Sequence, residues 1–287
     1  ILYLKKNKIK NICIDTEGAQ IRTTMCKKKY YLKKNKIIKI SNIDRKSNDN
    51  EISLYPKFNL ISVKKNTVIY IGFNNLELRV LRTIKDKNLL VCKVLKSGYL
   101  ESKKGVHIKC NLKLSPLTDK DIFALKVAKK YNIKHFAISF VNSHKDLKIV
   151  KSYVGEKSKI ISKIETNNAI KNLKKISQLS HALLIDRGDL SRYIPIEQIP
   201  LAQEQVIKFL NKINKPTYVA TNLLETMIEQ NLPTRAESHD VYSTLKQGAK
   251  GLVLAAETAI GKDPVACVKF LKKCIKEFNK SKKIIKN

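Results

Sequence analysis

Two stretches, KIISKIE (159–165) and HALLIDRGD (181–189), decide how the chain is read. Each is a short apolar run, of Ile in the first and of Ala, Leu and Ile in the second, that ends in charge: Lys163 and Glu165 in the first, Asp186, Arg187 and Asp189 in the second. Short apolar runs closed by polar residues are the pattern of strands buried on both faces of a parallel sheet. Working outward, the same form recurs at IKHFAISF (133–140), PTYVATN (216–222) and GLVLAAE (251–257). Helical spacing fills the gaps, at 118–131, 143–154, 167–179, 196–213, 235–248 and 264–278. Thr118 and Asp119 cap the first of these helices, and Pro264 sits early in the last.

The alternation predicts repeated βα units from residue 104 onward, and NICID (11–15), ending at Asp15 and Thr16, adds a buried strand before them. Six units result, where a closed barrel has eight. The predicted class is α/β: a (β/α)8 TIM barrel with its first two βα units missing from this chain. An open α/β sheet is the alternative, because strand spacing does not distinguish the two. The chain begins at Ile1 rather than Met, so this reading expects a fragment of a longer protein, with the missing pair upstream.

Residues 19–103 break the rhythm. Alternating apolar positions in TVIYIGFNNLELRVLRTI (67–84) and LLVCKVL (89–95), set between Asn, Lys and Gly, predict a small all-β domain inserted after a barrel strand. The expected division is barrel over 1–18, inserted β-rich lid over 19–103 and barrel over 104–287. Surface βα loops tolerate such insertions because they lie outside the core.

Of 287 residues, 58 are Lys or Arg and 24 Asp or Glu, a formal charge of +34. Clustered basic residues would suggest a polyanion partner. Here only seven are Arg, and the lysines are spread along the chain among Ile and Asn, which fits codon bias better than nucleic-acid binding. No run approaches the roughly 20 apolar residues of a membrane helix, so no membrane partner is expected. The six cysteines form no CxxC pair, and they read as small core residues in a reducing compartment.

Functional groups of a βα barrel gather at the carboxyl ends of its strands. Those ends carry Asp15, Ser139, Lys163 with Glu165, Gly188 with Asp189, Thr221 and Glu257. Lys163 and Glu165, two apart on a strand, point to one side. Glu165 and Asp189 suit a divalent ion, and Lys163 adds a positive charge; such a set stabilises a phosphoryl group in transfer or a developing enolate.

IISKIET (160–166), LLIDRGDL (183–190), VATNLLETMI (219–228) with LPTRAESHD (232–240), and GLVLAAETAIG (251–261) resemble, in order and spacing, signature stretches of the pyruvate kinase family. DTEGAQIRT (15–23) and SKKGVHI (102–108) resemble the family's exit to its inserted domain and the return from it. The resemblance implies phosphoryl transfer from phosphoenolpyruvate to ADP, giving pyruvate and ATP, with Mg²⁺ or Mn²⁺ and optionally K⁺. By the same resemblance, Lys163 neutralises the phosphoryl group and the enolate oxygen, and Glu165 and Asp189 hold the divalent ion. Gly188, Asp189 and Ser139 contact substrate, Thr221 lies by the methylene carbon, and Arg22 meets the transferred phosphate. Glu257 belongs to a proton relay, and Asp15 with Thr16 hold K⁺. A homo-oligomer in the cytoplasm or an organelle matrix goes with this.

The sequence also departs from that family. Ala255-Ala256 stands where Ser-Gly is usual, Asp186 stands where Ala precedes the Arg and adds a carboxylate beside the metal pair, and Glu17 and Gln20 stand at the hinge of the insert. The rival expectations are a divergent paralogue that binds metal and a small oxyacid without efficient transfer, and a metal-dependent aldolase or lyase on a related barrel.

Overall fold

Apolar runs too short for a helix and rich in β-branched residues can bury both faces only by pairing side by side beneath a cover of helices. A computed structural model shows that pairing, and it describes residues 1–9, 11–72, 76–110, 112 and 114–284. The chain divides into two compact units, Ile1–Thr16 with Asp119–Asn287, and Glu17–Thr118.

A short helix, Leu2–Lys6, and then strand β1 (Cys13–Asp15) open the first unit. The second unit then forms β2 (Arg22–Thr23), β3 (Tyr30–Leu32), β4 (Ile37–Ser41), β5 (Glu51–Tyr55), β6 (Val68–Ile71), β7 (Leu76–Ile84), β8 (Leu89–Lys96), β9 (Gly98–Leu100) and β10 (Val106–Ile108). Back in the first unit come β11 (His135–Ile138), β12 (Lys159–Ile164), β13 (Ala182–Asp186), β14 (Thr217–Ala220) and β15 (Gly251–Val253).

The first unit holds a parallel six-stranded sheet in the order β1-β11-β12-β13-β14-β15, so consecutive strands of the unit are neighbours throughout. This is a mixed α/β fold with a parallel, barrel-like sheet. Helices Asp119–Lys130, His144–Val154, Ile199–Lys212, Arg235–Gln247 and Pro264–Ile284 lie between or after the strands. Two of their starts are fixed by side chains. Asp146 accepts the amides of Asn142 and Ser143, both at 2.8 Å, and Thr234 and Glu237 form a reciprocal capping box. Every residue of β13 is buried, as expected of a strand near the middle of a covered sheet. At Gly251 of β15 an added Cβ would stand 2.7 Å from the ring of Tyr218, its register partner on β14, so the close approach of that ring requires glycine there.

The second unit is all β, with a seven-stranded sheet in the order β10-β6-β7-β8-β4-β5-β2 and a β3-β9 pair. Its core is built from alternate residues of these strands, among them Ile38, Ile40, Ile69, Ile71, Leu76, Leu78 and Val80, all essentially inaccessible. Of the stretch 67–84, residues 73–75 lie outside the described residues.

Three details differ from the sequence reading. The compact insert runs on to Thr118 rather than ending at 103, because β10 pairs with β6 and Cys110, Leu112 and Leu114 continue the alternation onto the insert's core. The helix expected over 167–179 is broken into Asn167–Lys171 and Leu173–Leu179. The Asn172 side chain at the break donates to the carbonyls of Asn142 at 3.0 Å and Asn168 at 3.1 Å, the competition with backbone that makes Asn a poor interior helix residue. The run 251–257 is strand only to Val253, and Ala256–Ala259 is a helical turn. Cys92 and Cys267 are buried as small core residues, whereas Cys13 is exposed; all six thiols are free. Among the described residues no helix is long and apolar enough to cross a membrane.

Candidate active site

Register aligns Lys163 of β12 with Leu184 of β13, and Ile161 with Ala137 of β11. Side chains two residues further on keep the same face, so Ser139, Lys163, Glu165 and Asp186 converge at one end of the sheet. They border a cavity of about 530 Å³ lined by Asp15, Lys163, Asp186, Thr221 and Ala255, with Cys13, Ile161, Leu184 and Tyr218 deeper along the strands.

Lys163 is the hub. Its side chain is 12% exposed, and its ammonium lies 3.1 Å from Glu165 Oε1, 3.4 Å from Asp186 Oδ2 and 3.7 Å from Asp15 Oδ2. It donates to Ser139 Oγ at 3.1 Å, and that hydroxyl donates in turn to Asp15 Oδ1 at 3.4 Å. Glu165 is wholly buried; its Oε2 accepts the amide of Phe140, while Oε1 has no hydrogen bond of good geometry. Asp189 sits beside these groups, with an oxygen within 4.8 Å of ligand oxygens of Glu165 and Asp186, and pairs with Arg192 at 3.4 Å.

The electrostatics follow from this crowding. Burial by itself would lower the Lys163 pKa, but Glu165, Asp15 and Asp186 outweigh it and hold the ammonium well above the ordinary lysine range. Burial pushes the Glu165 carboxyl up to about 8 against the pull of Lys163, and it raises Asp15 in the same way. The Tyr193 phenol is pushed up to about 12 by burial and then by the charge of Asp189. Four carboxylates, Asp15, Glu165, Asp186 and Asp189, therefore face two cationic side chains, Lys163 and Arg192. The surplus of carboxyl groups over cationic ones and the buried, under-bonded oxygen of Glu165 fit a divalent cation held through oxygen, whose charge would keep the Glu165 carboxylate ionised.

Thr221 follows β14 with φ 69°, and Asn222 with φ 52°, both in the left-handed region that side chains other than Gly disfavour. Arg187 holds this turn. Its guanidinium donates to Thr221 O at 3.0 and 2.6 Å, to Asn222 O at 3.0 Å, and to both carboxylate oxygens of Asp240 at 2.9 and 2.7 Å. The turn delivers Thr221 Oγ1 to the site, where it accepts the amide of Gly188 at 2.8 Å and lies 3.2 Å from Asp186 Oδ1.

Of the residues expected at the site, the structure brings together Asp15, Ser139, Lys163, Glu165, Gly188, Asp189 and Thr221. Thr16 joins β1 to β11: its amide donates to Ala137 O at 3.0 Å, and its hydroxyl accepts the Ser139 amide at 3.0 Å. Glu257 stands apart, with its carboxylate accepting the amides of Leu224 at 3.0 Å and Ala255 at 2.8 Å. Arg22 belongs to the second unit, where it pairs in register with Tyr55. Asp186, read in the sequence as a departure that adds a carboxylate beside the metal pair, stands in the cluster with Glu165 and Asp189.

The family model "Pyruvate kinase, barrel domain" matches residues 3–268. The chain belongs to the pyruvate kinase family. Curated relatives named pyruvate kinase include those of Thermotoga maritima, 34% identical over 281 residues, and Borreliella burgdorferi, 32% identical over 278 residues. That of Methanocaldococcus jannaschii is 31% identical over 277 residues. These matches cover 96%, 95% and 95% of this chain and 60%, 58% and 59% of the relatives. This pyruvate kinase family chain thus spans about 60% of the length of the relatives it matches.

Proposed function

We propose that the chain is the catalytic portion of a pyruvate kinase, moving the phosphoryl group of phosphoenolpyruvate to ADP with release of pyruvate and ATP. The observation that carries the reading is Lys163, an ammonium held by Glu165, Asp186 and Asp15 where parallel strands end at an open cavity. In this reading the six strands are the larger part of a (β/α)8 barrel, and the inserted β unit is a lid over the nucleotide. The compartment is the cytoplasm or an organelle matrix, and the chain assembles with copies of itself.

In the reaction the enol P–O bond breaks, a bond forms between phosphorus and a terminal oxygen of ADP, and the enolate left behind takes a proton at its methylene carbon. Negative charge moves onto the enolate oxygen, and Lys163 lies where a fixed positive charge lowers that barrier without reorganising. Glu165 and Asp189 would hold Mg²⁺ or Mn²⁺, which when bound supplies Lewis-acid stabilisation of phosphoryl and enolate oxygens. Asp15 and Thr16 are the protein's share of a K⁺ site. Ser139 orients Lys163 through its 3.1 Å hydrogen bond. Substrate would displace internal partners of Gly188 and Asp189, whose amides face Thr221 Oγ1 and Asp186 Oδ1. Thr221 and Ala255 both line the cavity, and of the two only Thr221 carries a hydroxyl that could serve the proton path in this reading. Arg22 meets the transferred phosphate, and Glu257 acts on the proton path only through the backbone it holds.

The test is Lys163→Met in the natural full-length protein, assayed by coupled pyruvate formation. Turnover should fall on the order of 10²- to 10³-fold, the cost of removing one preorganised electrostatic group. Turnover within about threefold of the parent, in a variant with an unchanged far-UV spectrum, would remove Lys163 from the chemistry and the reading with it.

A further inference from the structure

We infer that Asp186 is a third protein ligand of the divalent cation, so that this site captures its ion before substrate arrives. The inference rests on the metal-site reading given under the proposed function and goes beyond it, because that reading needs only Glu165 and Asp189.

The geometry is the first argument. Glu165, Asp186 and Asp189 each offer an oxygen lying within 4.8 Å of the other two. Oxygens on one Mg²⁺ at about 2.1 Å are about 3.0 Å apart when adjacent and about 4.2 Å apart when opposite. Closing the trio onto a common ion therefore needs contractions of an ångström or two, within reach of carboxylate rotation. Asp186 ends β13 and begins the Arg187–Leu190 turn that carries Asp189, so the two carboxylates rise from one short segment opposite Glu165.

The second argument is what Asp186 does without an ion. Its Oδ2 lies 3.4 Å from Lys163, Oδ1 is 3.2 Å from the Thr221 hydroxyl, and its contact with the amide of Asp189, at 3.4 Å, is long for a helix cap. None of these is a short, committed bond. The carboxylate is nonetheless only 10% exposed, in a cluster that already carries more acid than base. A structural cap alone would be served by Ser or Asn at no electrostatic cost. A third anionic oxygen has a use where the ion must be held with fewer ligands from substrate, and ligand charge count is what sets affinity at oxygen sites.

The experiment titrates the full-length protein with Mn²⁺ alone, without phosphoenolpyruvate or nucleotide, following the loss of the free-Mn²⁺ paramagnetic resonance signal. Asp186→Asn keeps the size and the capping oxygen; it should weaken Mn²⁺ binding at least about 10-fold, the scale seen even for residues that only support a ligand. Broadening of the bound-Mn²⁺ signal by ¹⁷O-water should count one more coordinated water than in the parent, a change that a merely electrostatic neighbour would not produce. Should Asn fail to fold, Asp186→Ser, which retains a capping oxygen, carries the same comparison. If Asp186→Asn binds within twofold of the parent while Glu165→Gln and Asp189→Asn lose the ion, Asp186 is no ligand and the two-carboxylate reading stands. If none of the three changes Mn²⁺ binding, the metal-site reading falls as well.

Discussion

Replacing Arg187 with Met tests whether the turn that presents Thr221 is held from behind. The guanidinium is 9% exposed on its side chain and makes five hydrogen bonds, two to Asp240 and three to the carbonyls of Thr221 and Asn222. Charged hydrogen bonds contribute about 1.5–3 kcal/mol each when removed singly, but bonds sharing one side chain do not add. Breaking a buried ion pair by deleting one partner costs about 3–5 kcal/mol. Asp240 is 35% exposed and Asn222 is exposed, so water can take over part of what Arg187 leaves. Against that, two adjacent left-handed residues lose their clamp, and each stores on the order of 1 kcal/mol of strain. Taken together, Arg187→Met should destabilise by about 3 kcal/mol, read as a fall in the urea midpoint at unchanged slope. A cycle with Asp240→Asn should show a coupling of about 1–2 kcal/mol, and turnover should fall as Thr221 loses its fixed position. A loss below about 1 kcal/mol, or a coupling under about 0.5 kcal/mol, would show that the turn holds itself.

Two further outcomes follow from the helices around the site. Burial alone would raise the Glu237 carboxyl, but hydrogen bonds from Thr226 and Thr234 hold it below the ordinary glutamate range. A lowered folded-state pKa stabilises above the unfolded value of about 4.3, and that stabilisation is lost as pH falls through the folded value. Glu237→Gln can still cap, so it should cost under about 1 kcal/mol at pH 7. The gap between parent and variant in chemical denaturation should close between about pH 5 and pH 3; a gap constant with pH would refute the assignment. Gly248, with φ 104°, ends the Arg235–Gln247 helix, and a Cβ there would stand 2.3 Å from the Asn211 amide nitrogen. Gly248→Ala should lower stability by about 1–2 kcal/mol in a thermal melt, and an unchanged midpoint would count against strain at this cap.

The strands of the parallel sheet were legible because burial on both faces leaves a run of apolar residues that nothing else in the chain imitates. The Lys163–Glu165 pairing was legible too, since period-two alternation belongs to one strand and needs no partner. The carboxylate of Asp186 beside the metal pair was legible from its place before Arg187-Gly188-Asp189, but its contact with Lys163 was not, because that depends on the register of β13 against β12, and register is a relation between strands. The same limit applies to Glu257: a carboxylate at a strand end looks available until the fold turns the amides of Leu224 and Ala255 onto it. The break at Asn172 and the extension of the insert to Thr118 were hidden for a related reason. One depends on a carbonyl thirty residues away and the other on a strand joining a sheet whose core lies earlier in the chain.

The insertion also has a consequence for the order in which the molecule comes together. Thr16 and Ala137 are bonded across 121 positions of chain, so β1 can join the sheet only by closing that loop. Within the inserted unit, however, the Val106 amide donates to Ile21 O at 2.7 Å, which ties the unit's entry to its exit. Once the insert has folded, the loop that β1 must close shrinks to roughly 35 residues, and the entropic cost of closure drops by about 1 kcal/mol. An insert that folds first would act as a splint for the nascent sheet. Damage to its own core, at Ile52 or Leu78, would slow the arrival of Asp15 beside Lys163 without touching either residue.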